Sequence, residues 1–244
     1  MPPRHSALGT QHFLYTSARV FPTITPPPNR LLVFARLPEL GSVKTRLAEA
    51  VGAERALALY EAMLKDVLDG IGDSSETTEV EICWAPAASA SAESLAHAFG
   101  GRTLAMQTGE TLGDRLAMAF SERFFFHRTQ KIIAIGVDEP RLNREAVDHA
   151  FALLDSCDWA LGPAQDGGYY LIGCRAAAFD VAIFRDIAWG TSDVLPATLE
   201  RIRAAQNCVA MLPLRYDIDT VEDLQRYAAE RNGGALGALL RATS

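Results

Sequence analysis

Cysteine is scarce in this chain, and the four that occur, Cys83, Cys157, Cys174 and Cys208, are far apart and make no Cys-x-x-Cys pair. Neither a zinc site nor a disulfide framework is suggested, and all four read as buried thiols. Long apolar runs are missing too. No stretch reaches about 18 residues, the length at which a membrane span becomes the default reading, so a soluble, cytoplasmic protein is expected. Positive charge is in deficit: 23 Lys and Arg face 30 Asp and Glu, a formal net charge of -7. That excludes a generic nucleic-acid binder, which needs a clustered basic surface to neutralise phosphates. Absent as well are a Gly-x-Ser-x-Gly elbow, a His-Glu-x-x-His pair and a cysteine beside a histidine, which removes the commonest nucleophilic and zinc chemistries.

What is present suits one α/β domain. Hydrophobic residues make up 49% of the 244 and charged residues 22%, a balance that builds a substantial core. Residues 1–29 contain no Asp or Glu, lack periodicity and end near Pro26-Pro27-Pro28. They read as a disordered extension, with residues 30–244 as the single folded domain. A transit peptide would also be acid-poor, but this stretch has only Arg4 and Arg19 and no clear amphipathic face.

The ordered part opens with Arg30-Leu31-Leu32-Val33-Phe34-Ala35, a continuous apolar run of the kind a parallel strand buried on both faces requires. Apolar residues from Ala56 to Ile71 then recur at helical spacing, with Gly70 and Gly72 marking the end. Further strands are expected at 79–84, 103–107, 131–136, 159–162, 169–173 and 209–212. Helices are expected at 90–98, 111–126, 143–154, 192–204, 221–230 and 235–241. This alternation predicts a mostly parallel sheet with helices on both faces, whose ligands bind beyond the carboxyl ends of the strands.

Four segments carry chemistry there. Gly41-Ser42-Val43-Lys44-Thr45-Arg46 offers a glycine free to take positive φ, an ammonium and a guanidinium fork near a helix start, the parts of a phosphate cradle. It is not a Walker A loop, because Val43 stands where glycine must precede the lysine. Ile132 to Pro140 is a buried strand that ends in Gly136 and projects Asp138, a carboxylate suited to Mg2+, which takes one or two protein carboxylates and completes its shell with waters and phosphates. Asp166-Gly167-Gly168 is a turn that either closes a hairpin or lines a pocket, with Asp166 facing a substrate hydroxyl or a second metal. In Tyr216 to Leu224, Asp217 and Asp219 are expected to alternate so that only one faces the site, while Thr220 or Asp219 caps the following helix.

Taken in order, Phe34-Ala35-Arg36, Gly41-x-x-Lys44-Thr45-Arg46-Leu47, Gln107, Leu112-Gly113-x-Arg115, Gly136-x-Asp138-x-Pro140, Gly162-Pro163-Ala164-x-Asp166-Gly167-Gly168-Tyr169-Tyr170, Trp189-Gly190-Thr191 and Asp217-x-Asp219-Thr220 resemble the DUF2064 family of glycosyltransferase-A-like proteins. The resemblance spans about Arg30 to Asp223 and implies a Rossmann-like nucleotide-diphospho-sugar transferase fold. It also implies a metal-dependent transferase that uses Mg2+ or Mn2+, a nucleotide or nucleotide-sugar and a small-molecule acceptor. By similarity to the phospholactate guanylyltransferases, Lys44 and Arg46 hold nucleotide phosphates, and Asp138 with Asp217 or Asp219 holds the metal. Gly41, Thr45, Gly167 and Gly168 join the phosphate-binding set, and Lys44 and Asp166 are the expected catalytic residues. Nucleotidyl transfer from an NTP to a small phosphorylated acceptor stands slightly ahead of sugar transfer, with a non-catalytic nucleotide sensor as a third reading.

Overall fold

The computed structural model describes residues 29–230 and 232–242. All of the expected N-terminal extension except Asn29 therefore lies outside the described residues. Asn29 itself opens strand β1 (Asn29–Ala35), because its backbone pairs with Thr78 on one side and Lys131 on the other.

In β1 the continuous apolar run serves two layers. Leu31, Val33 and Ala35 face one core with helices α2 (Ala53–Ile71) and α5 (Arg144–Leu153), while Leu32 and Phe34 face another with α4 (Leu112–Phe125) and α6 (Val194–Ala204). Leu31, Leu32 and Val33 are fully buried, and each such side chain contributes about 1.5–3 kcal/mol relative to exposure. On either side of β1 lie β2 (Thr78–Trp84) and β4 (Lys131–Ile135), both parallel to it, and β3 (Thr103–Met106) extends the sheet beyond β2. The seven-stranded order is β3-β2-β1-β4-β6-β5-β7, with β5 at Trp159–Pro163, β6 at Tyr169–Arg175 and β7 at Val209–Met211.

One strand breaks the parallel rule. β6 is antiparallel to both β4 and β5, so the hairpin turn 164–168 sits at the same edge of the sheet as the end of β4. A third core joins α2 to α1 (Thr45–Val51), α7 (Val221–Ala229) and α8 (Gly234–Arg241) through Leu47, Met63, Leu224 and Leu236, and it also takes in Tyr216 and Ile218. The helix expected from Ala56 to Ile71 is α2, and the short α1 ahead of it is separated from it by Gly52 at φ 86°.

The cysteines correct the sequence reading. Cys83 and Cys174 are buried thiols, but Cys157 and Cys208 are joined by a disulfide, with their Cα atoms 5.1 Å apart. The two lie just ahead of β5 and β7, which pair in parallel from Trp159 and Val209. Sheet pairing makes them neighbours across 51 residues of sequence, and no local spacing reports that.

Candidate nucleotide and metal site

The loops that leave the carboxyl ends of the strands, together with the 164–168 turn and the segment 189–192, enclose a cleft of about 830 Å³, within the usual range for small-ligand sites. Tyr60, a buried residue of α2, fixes the loop after β1: its hydroxyl donates to the Arg36 carbonyl at 3.0 Å and accepts from the Arg36 N–H at 2.8 Å. Sequence reasoning gives Tyr60 no role, since at its helical spacing it reads as one more core aromatic. Arg36 and Arg115, quoted only as part of the resemblance, line the cleft beside Arg46. Gln107 is buried and anchors the far wall, donating to the Cys83 carbonyl at 2.6 Å and accepting from Arg115 at 3.5 Å.

Lys44 adopts a left-handed backbone (φ 47°, ψ 46°), a conformation that costs a non-glycine residue on the order of 1 kcal/mol or more and needs support from its surroundings. The support is visible at the end of the side chain. Nζ donates to Asp138 Oδ1 at 2.6 Å, Asp219 Oδ1 at 2.7 Å and the Ile218 carbonyl at 2.6 Å, which uses all three donors of an ammonium. Burial pulls this group toward the neutral form, but Asp138 and Asp219 outweigh it and hold its pKa above the ordinary lysine value.

The acidic residues arrive from three directions. Asp138 follows β4, and its carbonyl accepts from the Ile218 N–H at 2.9 Å, tying the segment after β7 to the strand end. Asp217 and Asp219 both line the cleft while Ile218 between them is fully buried. That overturns the expectation that only one would face the site, because residues two apart on an extended chain share a side. Thr220 caps α7 in a reciprocal box with Asp223, leaving the Asp219 carboxylate for Lys44. Asp166, exposed at the turn, accepts from the Gly168 N–H at 2.8 Å.

Asp217 is the strained member. Its Oδ1 is buried with no hydrogen-bond partner. Burial, and then the nearby charges of Asp138, Asp166 and Asp219, push its pKa up to about 8 against the opposing effect of Lys44.

Of the other expected residues, Thr45, Arg46 and Gly168 line the cleft and Gly41 and Gly167 do not. Gly41, at φ 78°, shapes the loop. Gly167, at φ 91°, is required by protein packing: a Cβ there would fall 2.3 Å from the Ser192 carbonyl oxygen. Glu139, next to Asp138, also lines the cleft but is buried, its carboxylate held by Arg141, which also stacks on Tyr216 at 4.0 Å.

A divalent cation suits this donor set. Every candidate ligand is a carboxylate oxygen, the hard ligand that Mg2+ and Mn2+ prefer. Two of these carboxylates already converge on one cation, the Lys44 ammonium, and Asp217 has a buried oxygen to satisfy. Among the described residues no three acidic, cysteine or histidine side chains converge as a ready-made metal cluster, so phosphates and waters would complete the shell.

Solved structures place this architecture. A protein from Desulfovibrio desulfuricans G20, provisionally described as a nucleotide-diphospho-sugar transferase, is 35% identical, with a TM-score of 0.84 over 88% of this chain and 95% of its own. A cytidylyltransferase from Leptospira borgpetersenii shares the fold at 12% identity, with a TM-score of 0.54 over 89% of this chain and 95% of its own. So does a 4-diphosphocytidyl-2C-methyl-D-erythritol synthase from Anaerococcus prevotii, at 10% identity and TM-score 0.53 over 84% of this chain and 98% of its own. None of the curated proteins matches. The chain thus has the fold of the nucleotide-diphospho-sugar transferases. It belongs to the DUF2064 family, described as uncharacterized proteins conserved in bacteria, whose family model matches residues 73–191. Lys44, Asp217 and Asp219 lie outside that matched segment.

Proposed function

We propose that the protein is a metal-dependent transferase acting on a nucleotide, and that it moves a nucleotidyl group from an NTP to a small phosphorylated acceptor. The observation that carries this reading is the pairing of Asp138 and Asp219 on one buried ammonium at the carboxyl edge of the sheet, with Asp217 beside them, in a cleft also lined by three guanidiniums. In nucleotidyl transfer an acceptor oxygen displaces pyrophosphate from the α-phosphorus, and catalysis is mainly positioning and electrostatic stabilisation of phosphate oxygens. Arg36, Arg46 and Arg115 would bind and orient the phosphates. Asp138 and Asp219 would hold the cation, which when bound neutralises phosphate charge. Trp189 and Tyr169, in edge-to-face contact with ring centroids 6.3 Å apart, would wall off the acceptor end and exclude water.

Sugar transfer is the second reading, favoured by the provisional description of the Desulfovibrio relative and by Asp166, an exposed carboxylate placed at the rim to take a proton from an acceptor hydroxyl. Incubation with the four NTPs and with nucleotide-sugars, over a panel of acceptors, separates the two: nucleotidyl transfer releases pyrophosphate, sugar transfer a nucleoside diphosphate. A ligand that binds only the folded state raises its melting temperature. If no NTP and no nucleotide-sugar does so, with or without Mg2+, the nucleotide reading fails altogether.

A further inference from the structure

Lys44 does not sit where a phosphate-binding lysine has to act. Its side chain is 5% exposed and its three donors are spent on Asp138, Asp219 and the Ile218 carbonyl, whereas the two carboxylates are 44% and 41% exposed and open to the cleft. An ammonium without a spare donor cannot bind a phosphate from that position. The point it occupies, within 2.7 Å of one oxygen from each carboxylate, is where a shared cation would be bound.

We propose that Lys44 Nζ and a divalent cation are alternative occupants of the Asp138–Asp219 pair, so that metal entry releases the ammonium into the cleft. The inference rests on the metal-dependent reading above and adds to it an order of events. At equal distance a divalent ion has twice the Coulomb attraction of an ammonium for the same two carboxylates, and an ion that keeps several of its waters, as Mg2+ does, limits the dehydration that opposes exchange. The flexible four-carbon lysine stem has the rotatable bonds for this exchange, at the cost of the contacts that support the left-handed backbone of Lys44. Lys44 then serves in turn as an internal counter-ion that keeps the carboxylates together and as a donor that reaches phosphate.

The chain offers a direct readout because it has three lysines, Lys44, Lys65 and Lys131. In the metal-free protein, limiting acetylation followed by mass spectrometry should leave Lys44 protected and mark Lys65, whose side chain is 65% exposed. Titration with Mn2+ alone, with the free ion followed by electron paramagnetic resonance, should raise Lys44 labelling about tenfold or more as the site fills and leave Lys65 unchanged. A folded Lys44→Met variant, checked by circular dichroism, should bind Mn2+ about tenfold more tightly than the wild type. Protection of Lys44 that persists at Mn2+ saturation overturns the proposal. If the wild type does not saturate, an equally weak Lys44→Met variant overturns it and a tighter one supports it. No nucleotide or acceptor enters these measurements, so a failed transfer assay has no bearing on their outcome.

Discussion

Two clusters of buried charge occupy opposite ends of the same sheet, and they balance their charges differently. Toward the amino ends of the strands, Glu81 is gripped by Arg123 at 2.7 and 3.1 Å and by Arg30 at 2.9 Å, with Glu79 and Glu122 completing the two guanidiniums. Arg30, Glu81 and Arg123 are each 7% exposed or less, and both oxygens of Glu81 are engaged. At the carboxyl ends the Lys44 ammonium is shared by Asp138 and Asp219, both open to the cleft, and the neighbouring Asp217 has a buried oxygen without a partner. The first cluster is closed, with its central carboxylate fully paired, and holds β1, β2 and α4 together. The second is open and incompletely paired, as expected of a site completed by something from outside.

The sharpest way to break this contrast is to remove the centre of each cluster. Glu81→Leu leaves two buried guanidiniums with only the more exposed Glu79 and Glu122 as carboxylate partners, and stripping one partner from a buried pair costs about 3–5 kcal/mol. Urea unfolding should show a loss of that size. Asp138→Asn removes a half-exposed charge from an ammonium that retains Asp219 and a carbonyl, so its stability should change by less than about 1 kcal/mol. If Asp138→Asn destabilises the protein more than Glu81→Leu, the distinction between a structural and a functional cluster collapses.

Activity should reverse the ranking. Once an acceptor is found, Asp138→Asn should lower kcat/KM by about 100- to 1,000-fold, the loss commonly seen when one charge-stabilising group is deleted. Any Glu81 variant that remains folded, such as Glu81→Gln, should keep kcat/KM within a few-fold of the wild type. A Glu81→Gln variant as inactive as Asp138→Asn would show that the two ends of the sheet are coupled.

Much of this arrangement is legible in sequence because strand ends announce themselves. The run Ile132 to Ile135, stopped by Gly136 and Pro140, places Asp138 at the carboxyl edge without reference to any contact. The turn at Asp166-Gly167-Gly168 marks the hairpin in the same way. What stays hidden is created by contacts between distant segments. The hold of Lys44 on Asp219 spans 175 residues, and the Cys157–Cys208 bond depends on β5 and β7 meeting. Gly167 is legible as a close approach, but its partner is the Ser192 backbone, which only tertiary structure reveals. The correction at Asp217 has a simpler cause: the two-residue period of an extended chain puts it on the same side as Asp219.

Asp217 also gives the two clusters opposite signatures in pH, and this is the smaller and more discriminating effect. Burial alone would raise the pKa of Glu81, but Arg123 and Arg30 bring it below the ordinary value of 4.5. Its contribution to stability is therefore present above about pH 4.5 and lost as pH falls through its folded-state pKa. For Asp217 the sign is reversed. With a pKa raised from 3.8 to about 8, the folded state holds a proton that the unfolded state has released, so its favourable contribution is complete below about pH 4 and declines until about pH 8. A tenfold change in proton affinity corresponds to about 1.4 kcal/mol, so even a fraction of this shift gives a measurable slope. Asp217→Asn keeps the shape and removes the titration. It should therefore be more stable than the wild type at pH 8 and should lose the downward slope between pH 5 and 8 in thermal unfolding at fixed ionic strength, while the acid limb from Glu81 remains. Parallel profiles for the two proteins would mean that Asp217 is not the strained carboxylate. A vanished slope would locate the strained carboxyl of the open cluster on that one side chain.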